Sequence, residues 1–187
     1  MKKLKLLTVL ILSIVIQVSA QTKVGDATLP NEVTFNQEKL VLNGTGIREK
    51  FFFDIYAGGL YLKNKSSNAS AIASADETMA VKLDILSGMM SRSKMEGALR
   101  EGFKKATGDN TAALDDRINK FIGFIKEEIE VGQVYDIVYE KGKGSILYKD
   151  GKQRGVIEGL DFKTALFNIW LGNKPADKDL KEGMLGK

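Results

Sequence analysis

IREKFFFDIYAGGLYL, residues 47–62, is the stretch that indicates the fold of this 187-residue chain. Its aromatic and β-branched residues favour a buried β-strand, and its paired glycines allow another backbone or a ligand to approach closely. Arg48 stands beside this apolar surface. Because an unpaired buried charge is costly, Arg48 requires an anion or hydrogen-bond acceptors. Two interpretations stay open: a structural ion pair with Asp54 or Glu49, or an anchor for an acidic ligand.

Residues 1–20 predict a cleaved signal peptide. They contain a basic start (MKKLK), an apolar core interrupted only by one threonine and one serine, and a Val-Ser-Ala end that suits signal peptidase. The apolar run is too short for a convincing transmembrane helix, and no other segment of the sequence approaches that length. We therefore predict export to the periplasm or the medium, with cleavage near Ala20 and no stable membrane anchor. The remaining residues, 21–187, are predicted to form a single domain.

Composition excludes several classes of function. The formal net charge is +4, and the three lysines of the predicted signal peptide account for most of it, which leaves about +1 (4 − 3) on the processed chain. No clustered basic face predicts nucleic-acid binding. The sequence has no cysteine, so disulfides and a lipoprotein anchor are excluded. It also has no histidine, which excludes Ser-His-Asp and Cys-His nucleophile systems and the common zinc sites. We expect no metal, no cofactor and no catalytic residue.

Hydrophobic periodicity predicts an α+β domain in which strands and helices occur in alternating blocks. Strands are predicted at residues 33–35, 40–42, 79–86, 134–139, 145–148 and 153–157. Turns are predicted at Asn36-Gln37, Asn43-Gly44 and Asp150-Gly151. Helices are predicted after a capping box at Ser93, after Asp161 and after Asp177.

Two blocks of this sequence resemble the signature blocks of the chalcone isomerase-like family. They are LNGTGIREKFFFDIYAGGLYL at residues 42–62 and GLDFKTALFNIWLGNKPADKDLKEGML at residues 159–185. The Leu-Ser-Gly sequence at residues 86–88, which leads into a predicted helix, also fits. The resemblance implies an open-faced β-sandwich, in which a large antiparallel sheet packs with helices and a ligand cleft lies between them.

The resemblance also implies a choice between two functions. The family contains enzymes that close a chalcone to a flavanone and non-catalytic members that bind fatty acids, and Arg48 matches the cleft arginine of both. The second position, a threonine in the enzymes, is Tyr56 here, as in the fatty-acid-binding members. A tyrosine and an asparagine of the enzymes fall on Ser91 and Ala98, which lack the required chemistry. The sequence therefore favours a non-catalytic binding protein for a fatty acid or similar amphipathic carboxylate.

Two alternatives remain beside that interpretation. The chain could be an intramolecular lyase or isomerase acting on a chalcone-like or other phenolic substrate, or a cleft-bearing domain that works through a protein partner. A Ser91–Lys94 pair has the spacing of a serine–lysine nucleophile, although helix capping explains the same residues. Trp170 is predicted to be a core residue, with lining of the cleft as the alternative.

The binding hypothesis makes a geometric demand on the chain. An arginine fork and a tyrosine hydroxyl together suit a carboxylate, because they offer three donors at fixed reach. Arg48 and Tyr56 meet only if the chain turns between them, which we expect near Glu49-Lys50. In one straight strand they would lie about 26 Å apart, at roughly 3.3 Å per residue.

Overall fold

The structure is a computed structural model, and it describes residues 21–187. The predicted signal peptide, residues 1–20, lies outside the described residues.

Strands and helices alternate in blocks along the described part of the chain. The strands are β1 (Gln21–Val24), β2 (Ala27–Pro30), β3 (Glu32–Phe35), β4 (Glu38–Lys50), β5 (Phe53–Leu62), β6 (Met79–Ile85), β7 (Val134–Glu140), β8 (Gly144–Lys149) and β9 (Lys152–Ile157). The helices are α1 (Ala69–Ser74), α2 (Arg92–Ala106), α3 (Asp115–Ile122), α4 (Leu160–Leu171) and α5 (Lys178–Met184). None of the helices in residues 21–187 is long and apolar enough to cross a membrane.

One large antiparallel sheet dominates the structure. Strands β3 to β9 lie side by side in chain order, so each strand pairs with the next one along the sequence. Strands β1 and β2 form a separate hairpin. The predicted fold class is therefore confirmed: an α+β domain with a large antiparallel sheet packed with helices.

The two faces of the sheet carry different cores, because side chains alternate along each strand. The inner face packs against the helices in a large apolar cluster, which includes Tyr56, Leu60, Phe103, Phe162, Phe167 and Trp170. On the outer face, Tyr61 belongs to a smaller cluster, and the β1–β2 hairpin packs Leu29 close to Ala57. The helix-facing side is the thicker of the two layers and holds the site described below.

Glycines let helix α5 lie directly on strands β4 and β5. A Cβ atom on Gly58 would come within 2.6 Å of Met184 Cε, and one on Gly46 within 3.1 Å of Leu180 Cα. Larger side chains at these positions would push the helix away from the sheet. The paired glycines of the opening stretch thus serve close packing in part, and α5 fixes the hairpin that carries Arg48.

Several of the local predictions were wrong. Asn43-Gly44 forms no turn but lies within β4, where the Asn43 side chain bonds backbone groups of Ser66 and Met184. The long-range partners of that amide favour the extended strand over a local turn.

Two more errors concern helix starts. Ser91, not Ser93, caps α2, and its hydroxyl accepts a hydrogen bond from the backbone N–H of Lys94. Asp161 lies inside the first turn of α4 instead of capping it, and its carboxylate forms an ion pair with Arg117. The turns at Asn36-Gln37 and Asp150-Gly151 are confirmed, each with two residues of positive φ.

Candidate ligand site beside Arg48

The β4–β5 hairpin brings Arg48 and Tyr56 together. The chain turns at Phe51-Phe52, two residues beyond the expected position, and Lys50 pairs with Phe53 across the turn. Arg48 therefore stands directly opposite Tyr56 on the neighbouring strand. Residues opposite each other in an antiparallel pair share a face of the sheet, with side chains about 4.5–5.5 Å apart at Cβ. The geometric condition for a shared ligand is met.

An irregularity in strand pairing sets the direction of the β5 side chains. The register shifts between Arg48 and Glu49, so Ile55 has no partner of its own on β4. Such a bulge places two residues of one strand opposite one of the other and re-aims their side chains. Ile55 and Tyr56 accordingly both enter the helix-facing core although they are consecutive in sequence.

A cavity of about 240 Å³ lies between this hairpin and helix α2. Its floor is apolar, and its rim carries three cationic side chains and one carboxylate. The lining residues are Arg48, Lys50, Phe51, Ile55, Met89, Met90, Lys94, Gly97, Ala98 and Glu101. The carboxylate, Glu101, forms an ion pair with Lys105 at 2.6 Å. The excess positive charge beside apolar walls suits an anion that carries an apolar tail.

Arg48 has no ion pair partner in the structure. Among residues 21–187, no carboxylate oxygen lies within 4.0 Å of its guanidinium group. Instead the guanidinium carbon lies 5.6 Å from the centre of the Tyr56 ring, a cation–π contact. Glu49 pairs with Asp54 across the strands, and the Asp54 carboxylate lies toward Gly25 of the β1–β2 hairpin. The structural ion pair that the sequence left open is therefore not formed.

Tyr56 lies behind Arg48 rather than in the cavity wall. Its side chain is buried, and its hydroxyl oxygen accepts a hydrogen bond of 3.1 Å from Trp170 Nε1. Among the described residues, no acceptor is found for the hydroxyl proton. Burial raises the pKa of Tyr56, opposed by the positive charge of Arg48 and by the hydrogen bond from Trp170. The phenol is therefore neutral, and its hydroxyl group lies close to the Arg48 guanidinium behind the cavity wall.

The two positions that the resemblance assigns to catalytic side chains, Ser91 and Ala98, have other roles in this structure. Ser91 caps helix α2, as described above. Ala98 contributes only a methyl group to the cavity wall. Lys94 lines the same cavity, and the bond between the two members of the Ser91–Lys94 pair runs from the Lys94 backbone N–H to the serine hydroxyl. The contact is that of a helix cap.

Several residues of this site were missed in the sequence. Four cavity residues of α2 lie three, one and three positions apart along the chain: Lys94, Gly97, Ala98 and Glu101. This spacing marks one face of a helix and was available as a signal. The hydrogen bond from Trp170 to Tyr56 had no such signal, because it joins residues 114 positions apart.

Comparisons with known proteins agree with this architecture. A family model described as chalcone isomerase-like matches residues 21–186. Among solved structures, the fatty-acid binding protein of Arabidopsis thaliana superimposes with a TM-score of 0.68 at 18% sequence identity, over 85% of this chain and 91% of that one. At that identity the likeness establishes the fold. Comparison with curated proteins gave no significant match.

Proposed function

This chain belongs to the chalcone isomerase-like family, and we propose that it is an exported, non-catalytic member that binds a fatty acid or similar amphipathic carboxylate. The ligand carboxylate binds at Arg48 and Tyr56, and its apolar tail lies along the cavity between the β4–β5 hairpin and α2. The fatty-acid binding protein of Arabidopsis, which shares the fold, supports this ligand class.

The environment of Arg48 is the observation that carries the proposal. A folded protein ordinarily pairs a partly buried guanidinium with a carboxylate. Arg48 instead faces a cavity with no carboxylate within 4.0 Å in residues 21–187. A bound carboxylate would supply the missing partner through two parallel hydrogen bonds, the arrangement that the arginine fork favours.

Tyr56 supplies the second contact. Its hydroxyl proton has no acceptor among the described residues, while its oxygen accepts a hydrogen bond from Trp170. A carboxylate that reaches the inner end of the cavity accepts this proton in a hydrogen bond. The phenol suits this role because burial raises its pKa and keeps it protonated.

The volume of the cavity limits the length of the apolar tail that it can bury. At about 240 Å³, it lies below the roughly 300–1,000 Å³ of pockets that bury drug-sized ligands. The adjacent thioethers of Met89 and Met90 form an adaptable part of the wall, since methionine side chains rearrange readily. Each methylene buried there contributes about 0.8 kcal/mol. Affinity should therefore rise with chain length and then level off once the space is filled.

Displacement of a fluorescent fatty acid tests the proposal. Saturated fatty acids of increasing length are compared with fatty alcohols of equal length, which lack the charge. We expect the acids to bind much more tightly and Arg48→Ala to abolish that preference. Arg48→Lys should rescue only in part, because an ammonium group cannot reproduce the fork. Unchanged affinity in an Arg48→Ala protein that circular dichroism shows to be folded would assign Arg48 to another role.

Two further measurements test the remaining parts of the proposal. Chalcone absorbance, followed with and without protein, should decay at the spontaneous rate, because the Ser91 hydroxyl caps helix α2 and Ala98 has no polar group. A rate proportional to protein concentration and absent in Arg48→Ala would support the lyase alternative. The intact mass of the protein recovered outside the cytoplasm should correspond to a chain that begins at Gln21, whereas an unprocessed mass would contradict export by a cleaved signal.

A further inference from the structure

Three consecutive phenylalanines are exposed at the tip of the β4–β5 hairpin. Phe51 is 73% exposed, Phe52 is fully exposed and Phe53 is 55% exposed. Single exposed apolar residues are ordinary on protein surfaces, but a cluster of large ones marks a contact surface. We call residues 51–53 the aromatic tip.

The backbone conformation of the aromatic tip disfavours phenylalanine, so the stability of the fold does not account for phenylalanines at these positions. Phe51 and Phe52 form a two-residue turn, and both have positive φ angles, 51° and 65°. Bulky side chains rarely adopt this left-handed region, which costs of order 1 kcal/mol or more for each residue. The turn at Asp150-Gly151 has the same pair of positive φ angles and uses residues that favour them. The aromatic tip thus opposes both local turn preference and burial.

Charge is distributed unevenly around the aromatic tip. On the side that faces the cavity, Arg48, Lys50 and Lys94 lie beside Phe51, and Glu101 there is paired with Lys105. The exposed carboxylates of Glu49 and Asp54 lie on the other face of the hairpin. Lys50 Nζ is 5.5 Å from the Phe51 ring centre. Apolar residues at the end of a projecting hairpin, with cations beside them, combine the two contributions that hold proteins on an anionic bilayer: burial of apolar groups in the interface and attraction to headgroups.

We propose that the aromatic tip docks the protein on a lipid bilayer that contains anionic lipids. Phe51 to Phe53 enter the interface, and the cationic side of the hairpin meets the headgroups. Phe51 also lines the cavity beside Arg48, so docking would place the mouth of the cavity at the membrane surface. Docking is a property of the tip and stands whether or not the cavity accepts a fatty acid.

The test uses co-sedimentation with vesicles free of fatty acid. The protein used in this test begins at Gln21, because residues 21–187 contain the strands and helices described above and their cores. Vesicles of phosphatidylcholine alone are compared with vesicles that also contain phosphatidylglycerol. We expect binding to the mixed vesicles that weakens at high salt, since salt screens exposed charges.

A double substitution separates docking from folding. Phe51→Asn with Phe52→Gly installs the residue pair that this turn type favours, so stability should stay equal or rise. Vesicle binding should fall roughly tenfold or more, because most of the insertable apolar surface is removed. Leu160→Gln serves as the matched control, since Leu160 is also an exposed apolar residue but follows β9 at the opposite end of the sheet. Its vesicle binding should equal that of the wild type.

Two results would overturn the proposal. The first is vesicle binding that is absent in the wild type or unchanged in the stable double variant. The second is lipid-free self-association that the double variant abolishes without any wild-type binding to vesicles, which would make the tip a contact between copies of the chain. Fatty-acid displacement in solution is measured separately, so failure of docking and failure of the binding proposal remain distinguishable.

Discussion

Arg48 and Lys163 are two cations on the helix side of the sheet, and the structure satisfies them in opposite ways. Lys163 is completely buried, and its ammonium group donates to three backbone carbonyls, those of Ile72 (3.0 Å), Ala73 (2.9 Å) and Ala75 (2.7 Å). Arg48 faces a cavity and makes none of the ion pairs found in residues 21–187; its guanidinium contacts the ring of Tyr56 and interacts with the hydroxyl of that tyrosine. Lys163 thus stabilises the fold through its hydrogen bonds, whereas Arg48 is placed to bind a ligand in the cavity.

The partners of Lys163 show what a structural cation requires. The three carbonyls lie at the C-terminal end of helix α1, where backbone acceptors have few partners; that of Ile72 also accepts from the backbone N–H of Ala75 at 3.3 Å. A cation there also interacts favourably with the helix dipole. Two aromatic rings, Tyr139 and Phe167, lie within 5.4 Å of the ammonium nitrogen. All three donors of the lysine are used, so no capacity remains for a ligand.

Replacing Lys163 by methionine should produce the largest effect on stability. Methionine fills a similar volume but removes the three hydrogen bonds of the ammonium group, at about 1 kcal/mol each. We expect the free energy of unfolding to fall by about 3 kcal/mol, measured by urea denaturation. Fatty-acid affinity of the folded variant should stay at the wild-type value. A loss of affinity in folded protein would mean that the two cations do not act independently.

The same replacement at Arg48 should give the reverse result. Arg48→Met removes no ion pair, so the free energy of unfolding should change by no more than about 0.5 kcal/mol. Fatty-acid affinity should fall by about 2–3 kcal/mol, the contribution of hydrogen bonds to a charged group. Calorimetric titration measures the fatty-acid affinity of both methionine variants, and urea denaturation measures their free energies of unfolding. A strongly destabilised Arg48→Met protein would show that Arg48 also supports the fold.

Titration of Lys163 should make stability depend on pH. Burial lowers the pKa of Lys163 from 10.5 to about 8, opposed by the charges of Asp76 and Glu77. Between these two values the unfolded chain binds more protons than the folded chain, so stability rises with pH and is lost again as pH falls through about 8. We expect a gain of about 2 kcal/mol between about pH 7 and about pH 9.5.

The two methionine variants serve as controls for this titration. Lys163→Met lacks the titrating group and should show no such gain, whereas Arg48→Met should retain it. Burial raises the pKa of Tyr61 and Tyr139 above its usual range, so their ionisation in the unfolded chain opposes the gain as the pH approaches about 10, equally in the wild type and in both variants. Equal pH profiles for Lys163→Met and the wild type would show that another group is responsible.

Features set by neighbouring residues could be predicted from the sequence, whereas features set by distant residues could not. The turn at Asp150-Gly151 was predicted because the residues themselves favour positive φ. The turn at Phe51-Phe52 was placed two residues early, since no residue there favours such a turn. Arg48 was identified from its apolar neighbours and from resemblance to a family. Lys163 was not identified, because its partners belong to a helix about 90 residues away in the sequence.

The smallest expected effect concerns the tyrosine beside each cation. Tyr56→Phe removes one hydrogen bond to the ligand carboxylate, so affinity should fall by about 1 kcal/mol, close to fivefold. Tyr139→Phe is the matched control, because the Tyr139 ring contacts Lys163 and its hydroxyl donates to Asp76 at 2.7 Å instead of facing the cavity. Both variants should lose some stability, since Trp170 and Asp76 each lose a partner, but only Tyr56→Phe should lose affinity. Equal affinities in the two folded variants would leave Arg48 as the carboxylate contact and assign Tyr56 to the packing of Trp170.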